Sequence, residues 1–228
     1  MRVHRLGLVA GMVLSVAPGA WAQSQFTHVR GTIQSFDGTI LTVRKIGGAT
    51  DSFVVPGSAR ITYNKVAHLS DIRSGDFVAS GGVTQSDGKI HAREVRIFPA
   101  AMAGLGEGQY PMDTPKSSMT NATVSAVSTS GTVSASGGGG TLAMTFHGSR
   151  AAGSDVCTGH AAAPGATGCT GTTSLVVDPD VPVTALFMGD KSLLKPGLAV
   201  AASVAAGSDS RPAARFLTVE KDGVKPVH

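Results

Sequence analysis

Charge is what this sequence has least of. Only 15% of its 228 residues are Asp, Glu, Lys or Arg, and aromatic side chains make up 5%. Glu and Lys are sparse, and no long stretch repeats apolar residues at three-to-four spacing, which excludes a helical bundle. No Lys/Arg stripe interleaves with aromatics, so nucleic acid is not an expected partner. Catalytic signatures are missing too: there is no Gly-x-Ser-x-Gly elbow and no His-Glu-x-x-His pair. The chain is therefore expected not to be an enzyme, with no catalytic residue and no cofactor to nominate. Asp178 and Asp180 bracket Pro179 in a turn, where Asx-turn hydrogen bonding accounts for both, and His28, His68 and His91 stand near expected strand ends.

The first residues indicate export. Arg2 and Arg5 precede an apolar run from Leu6 to Val16, Pro18-Gly19 breaks it, and Ala20-Trp21-Ala22 places small residues at the −3 and −1 positions of a cleavage site. That is the order of a signal peptide, residues 1–22, cut after Ala22. The run is too short to cross about 30 Å of hydrocarbon, and no later stretch is long enough, so no membrane span is expected after cleavage. No cysteine lies near the cut and no Arg-Arg pair precedes the run, which argues against a lipoprotein and against twin-arginine export. The expected location is the periplasm or the medium. Loss of Arg2 and Arg5 leaves 17 basic against 15 acidic residues, a nearly balanced mature chain.

What the sequence does have is Gly (30 residues), Val, Ser and Thr, arranged twice. Val54–Ile97 aligns with Val176–Val219 at a constant offset of 122 without a gap. Ile61-Thr62 meets Val183-Thr184, Ile72-Arg73 meets Leu194-Lys195, Gly75 meets Gly197, and Ala92-Arg93 meets Ala214-Arg215. The front halves align as well, with Gly31-Thr32-Ile33 on Ala122-Thr123-Val124. In the first copy, alternation and turn chemistry give strands over 29–36 and 39–45 around Asp37-Gly38, then 51–55 extended by 60–63. A helical or 3-10 turn over His68–Ile72 follows, and strands over 77–84 and 90–98 meet at Asp87-Gly88. Five strands with a short helical turn after the third is the order of an OB barrel. Val29, Ile33, Leu41, Val43, Val54, Ile61, Val78, Val95 and Ile97 are expected to alternate inward in one core, each copy closing its own barrel. A plain β-sandwich is the competing architecture.

The expected fold is all-β: two tandem five-stranded OB-like barrels, module 1 over 23–99 and module 2 over 119–228, joined by a Gly/Pro-containing linker over 100–118. Module 2 carries an inserted Cys-bearing loop over 137–173. The Gly-x-Gly-x-Gly run at 104–108 is no phosphate loop, because no helix follows to aim its N-terminus at an anion.

Val29-Arg-Gly-Thr-Ile-Gln-Ser-Phe-Asp-Gly followed by Ser70-Asp-Ile-Arg-Ser-Gly-Asp-Phe-Val resembles a family of exported bacterial OB-like modules of unknown function. Ile97-Phe-Pro-Ala-Ala-Met102, Gly106-Glu-Gly, Pro111-Met-Asp, Met119-Thr-Asn-Ala-Thr-Val and Leu193-Leu-Lys-Pro-Gly197 are similar to its two-module subgroup. The resemblance covers nearly all of the mature chain outside 137–173 and implies the OB-like fold and export. Some relatives carry a metal transporter permease label, which a chain without membrane spans does not fit. The family brings no catalytic residues.

The only two cysteines, Cys157 and Cys169, both fall in the 137–173 segment. In an oxidising compartment the simplest reading is a disulfide pinning that loop. The alternative is a metal site from Cys157, His160 and Cys169, completed by His147 or Asp155, with ligand types that suit zinc or copper. By analogy with OB folds, a ligand face is expected on the strand over 39–45 at Arg44 and Lys45. The expected function is a non-catalytic periplasmic or secreted binding or assembly protein, whose partner is an envelope protein or small ligand. A metal-handling accessory protein using the Cys157/His160/Cys169 loop is the alternative.

Overall fold

The computed structural model describes residues 26–130, 138–159, 166–207 and 211–226; the expected signal peptide, with Ala20 and Ala22, lies outside them. The protein is all-β. In chain order the strands are β1 (Thr27–Phe36), β2 (Ile40–Lys45), β3 (Thr50–Val54), β4 (Arg60–Ala67), β5 (Phe77–Thr84), β6 (Ile90–Ala92) and β7 (Val95–Ile97). Then come β8 (Gly108–Pro111), β9 (Ser117–Ser130), β10 (Gly139–Arg150), β11 (Thr167–Val177), β12 (Val183–Met188), β13 (Ala199–Ala206) and β14 (Pro212–Val219). Among the described residues no helix is long and apolar enough to cross a membrane.

Local structure follows the turn chemistry. Asp37 Oδ1 accepts from the amides of Thr39 (2.8 Å) and Ile40 (2.7 Å), while Gly38 takes φ +95°, which closes the β1–β2 hairpin. Asp87 and Gly88 do the same between β5 and β6. The 3-10 turn falls at Leu69–Asp71, with the Asp71 carboxylate accepting from the His68 amide at 2.8 Å.

Strand partners do not follow chain order. β1, β2 and β3 form an antiparallel meander that closes through β14 and β13 back onto β1, a five-stranded barrel. β9, β10 and β11 form a second meander, and β6 and β5 complete a second closed circuit of five. Each circuit thus takes its first three strands from one sequence copy and its last two from the other. The expected count of five is present. The expected grouping, one barrel per copy in tandem, is not what the ladders form.

The cores report the same exchange. Val29, Ile33, Leu41, Val43, Phe53 and Ile61 cluster with Val200, Val204, Leu217 and Val219. Val78 and Val95 cluster instead with Val124, Leu142, Met144, Leu175 and Val177. The side chains expected in one core are therefore divided between two. On β3 and just past it the inward residues are Phe53 and Val55, and Val54 faces outward, a one-residue slip from the expected alternation.

β4 and β12 carry the chain from one circuit to the other and pair antiparallel with each other. Asn64 faces Leu186, the residue 122 positions on, so a pseudo-twofold axis passes between them. The other registers obey it. Ile61 faces Leu217, and their counterparts Val183 and Val95 face each other. Val54 faces Ala213, and their counterparts Val176 and His91 do too. Tyr63 stacks on Phe187 across the crossing pair, with ring centroids 5.6 Å apart.

Within the 137–173 segment, expected as an inserted loop, residues 139–150 and 167–173 are strand. β10 and β11 pair over eleven registered positions from Gly140↔Val177 to Arg150↔Thr167. On β10 buried Leu142, Met144 and Phe146 alternate with Thr141, Ala143 and Thr145, the period-two pattern of a strand with one face in a core. The glycines of the 104–108 run find a packing role: a Cβ on Gly108 would stand 1.9 Å from the Gly159 Cα, so the linker and the β10–β11 connection touch backbone to backbone.

Candidate functional site

Alternation that sends one set of side chains into each core sends the other set outward. Where the two circuits meet, these outward faces turn toward each other and enclose a cleft of about 770 Å³. On β1, Val29 is buried in the core and His28 and Arg30 face the cleft. On β14, Leu217 and Val219 point inward, and Phe216 and Thr218 face the cleft. β13 contributes Ala201 and Ser203, β9 contributes Ser117 and Met119, and the linker contributes Met112, Asp113 and Thr114.

A break between β6 and β7, together with Arg96 on β7, supplies most of the charge. Arg93 and Glu94 interrupt the strand, with the Arg93 amide donating to the Gly81 carbonyl (2.8 Å) and Ser80 Oγ donating to the Glu94 carbonyl (2.7 Å). This turns Glu94 toward Arg96, whose Nη2 lies 3.5 Å from Glu94 Oε2. Arg96 is only 17% exposed. Burial lowers the pKa of its guanidinium; the Glu94 carboxylate opposes that shift, and the positive charge of Arg30 on the β1 wall adds to it. Ser117 Oγ, in a residue 8% exposed on the cleft wall, has no hydrogen-bond partner among the described residues.

Gly81 and Gly82 make the floor for different reasons. A side chain at Gly82 would collide with Ile90 Cγ2 at 2.5 Å, so close strand packing requires glycine there. A Cβ at Gly81 would meet only Met112 Sδ at 3.9 Å, so its missing side chain is open space in the cleft.

The residues nominated from sequence lie elsewhere. Cys157 and Cys169 form a disulfide, as expected, with Cα atoms 5.9 Å apart. It ties the start of β11 to the segment returning from β10, beside the Ser149↔Thr158 bridge. Both sulfurs are engaged, so a metal ligand set from this pair requires reduction. His147 is on β10, with Nδ1 3.2 Å from Glu107 Oε1, and His160 lies outside the described residues. Among the described residues no group of three or more His, Cys, Asp or Glu is arranged to hold a metal. Arg44 and Lys45 end β2, where Lys45 Nζ pairs with Asp51 Oδ2 at 3.0 Å, and neither borders the cleft.

Sequence reasoning passed over His28, Arg30, Arg93, Glu94, Arg96 and Gly81. Two signals pointed to most of them: a Gly-Gly pair inside an apolar strand at Gly81, and, at His28, Arg30, Glu94 and Arg96, a polar or charged side chain on one copy where the other is neutral; Arg93 is matched by Arg215 and gave no such signal.

A second cluster lies at the parallel seam between β6 and β11. His91 Nδ1 is 2.9 Å from Asp178 Oδ2, and Nε2 is 3.1 Å from Asp87 Oδ2. These hydrogen bonds, to Asp178 first and Asp87 second, raise the His91 pKa above the ordinary histidine value. The Asp87 carboxylate is lowered, chiefly by the Lys89 amide and then by His91. His91 and Asp178 come from different sequence copies, so the pair clasps them together.

Fold and cleft define a class: an all-β protein with a closed five-stranded barrel, extended by further strands into a concave, partly cationic sheet face. No family model, no curated protein and no solved structure matches the chain.

Proposed function

We propose that this chain is an exported, non-catalytic binding protein whose ligand occupies the cleft between the two circuits. The observation that carries the reading is the cleft floor at Gly81, an open position in a strand otherwise closely packed. The volume falls in the range of small-molecule sites, which are about 300–1,000 Å³ and combine apolar lining with a few converging polar groups. Here Met112, Met119 and Phe216 supply the former, and Arg30, Arg96 and Ser117 the latter. The proposed location is the periplasm or the medium, supported by the signal-like first 22 residues and by a disulfide, which persists in oxidising compartments.

The test fills the cleft. Gly81→Phe directs a side chain into the cleft through a Cβ that meets only Met112 Sδ, at 3.9 Å, so the folded state should survive with its melting temperature almost unchanged. Native mass spectrometry of protein released gently from the envelope fraction should find a small molecule on the parent and none on the variant. Intact mass of the same sample should correspond to a chain starting at Gln23. A variant that retains the small molecule, or a parent that never carries one and binds none added, would remove the cleft from consideration.

A further inference from the structure

Equivalent positions of the two copies line the cleft, among them Gly81 and Ser203, so its walls can be compared position by position. Arg30 and His28 on β1 correspond to Asn121 and Met119 on β9, and Glu94 and Arg96 correspond to Phe216 and Thr218 on β14. Charge at these positions is confined to the first copy. The second copy lines the cleft with a thioether, a phenyl ring and a hydroxyl at Met119, Phe216 and Thr218, while Asn121 donates its amide to Gly106 and Tyr110. A site that would be symmetric by its backbone is therefore polarised by its side chains.

We propose that the cleft ligand is an amphipathic monoanion, a small molecule with one carboxylate or phosphate group and an apolar body. The inference rests on the binding reading above and names the ligand class for that same cleft. Three guanidiniums, Arg30, Arg93 and Arg96, meet two carboxylates, Glu94 and Asp113, which leaves one positive charge in surplus. Arg30 on β1 and Arg96 on β7 both line the cleft, so an oxyanion entering it meets two guanidiniums. Guanidinium suits this role, since its planar fork holds carboxylate or phosphate through two parallel N–H bonds. Ser117 Oγ adds a buried hydroxyl that needs a partner. Beyond the head group, Met119 and Phe216 give the apolar body a surface, and thioether and phenyl contacts tolerate varied shapes.

Calorimetric titration of the mature full-length protein tests this with 4-phenylbutyrate, 4-phenylbutyl phosphate and the neutral 4-phenylbutanamide. At least one anion should bind about tenfold or more tightly than the amide, and its affinity should fall as salt rises. Preference between the two anions identifies the head group. Arg30→Gln, an exposed position, and Arg96→Met should each bring the anion down to the amide's affinity. Arg96→Lys should retain part of the preference, which separates loss of charge from loss of fold. An amide that binds as tightly as both anions, or Arg30→Gln and Arg96→Met variants that bind anions unchanged, would overturn the monoanion assignment. If Gly81→Phe still blocks that binding, the cleft reading stands alone. If no compound binds, or Gly81→Phe blocks nothing, both readings fall.

Discussion

The two circuits share one connectivity and differ in how they are braced. Both close through a short parallel seam, a single registered pair in the first (Val54↔Ala213) and two in the second (Leu175↔Ile90, Val176↔His91). The first circuit relies on its core at that seam. The second adds the His91–Asp178 clasp at 2.9 Å, a longer β10–β11 hairpin and the Cys157–Cys169 disulfide. Extra bracing accompanies extra length: an extended hairpin has little core at its tip and gains most from a covalent tie. The comparison teaches that closure is the weak step of this architecture, because a few parallel pairs must hold the ends of two meanders supplied by distant parts of the chain.

Cutting the chain between the copies breaks the comparison most severely. A fragment ending near residue 103 keeps β1–β3 without β13 and β14, and β5–β7 without β9 and β11. It should give no cooperative thermal transition by circular dichroism, and co-expression with residues 104–228 should restore one. A fragment that melts cooperatively alone would mean that one copy can close on itself.

Removing the disulfide sharpens the contrast between circuits. Cys157→Ser with Cys169→Ser should cost up to about 3 kcal/mol in the loop-entropy picture. Hydrogen exchange should accelerate along β10 and β11 near the tie and remain unchanged in β1–β3. Equal acceleration in both circuits would refute the local assignment.

The crossing point offers a gain in stability. Neither the amide nitrogen nor the oxygen of Asn64 has a hydrogen-bond partner among the described residues, although the residue is 1% exposed. Its counterpart is Leu186. Asn64→Leu should stabilise the protein by about 1–3 kcal/mol, the cost of a buried unsatisfied polar group, read as a raised denaturant midpoint. A lowered midpoint would mean that the amide has a partner in solution.

The smallest effect is the pH dependence of the clasp. Because folding raises the His91 pKa, the clasp contributes fully below the ordinary histidine value and fades as pH rises through the raised one. The Asp87 share behaves oppositely, and is lost as pH falls below the ordinary carboxylate range. The melting temperatures of the parent and His91→Gln should therefore differ more at about pH 5.5 than at about pH 8.5. A gap that stays constant between those values would show that the imidazole charge plays no part.

Much of the local structure was legible in the residues. Asp37-Gly38 and Asp87-Gly88 specify their turns by side-chain and backbone chemistry confined to a few positions, and the 3-10 turn falls where expected. Inward positions such as Val29, Leu41 and Val78 follow from period-two alternation. Residues 139–150 and 167–173 were misjudged as loop because their Gly and Thr content weakens the apolar signal, while neighbouring strands supply the ladders that make them sheet. The cleft was missed because each strand gives only which residues face outward, and a cleft requires knowing which outward faces meet.

The amino-acid order alone determined that strands form, where they turn and which side of each is apolar, all consequences of interactions within a few residues. It also aligned 54–97 on 176–219, the pattern expected of two copies with matching edges. That match is why it could not determine which copy supplies which edge, since a strand finds the same registered partners in either arrangement. The choice lies in the connection. β4 runs extended through eight residues, about 26 Å at strand rise, with Ile61 in one core and Ala67 in the other. It pairs with β12 about the pseudo-axis instead of folding back. Only the tertiary structure, in which β4 and β12 find each other, decides that the barrels exchange their halves and that a cleft opens between them.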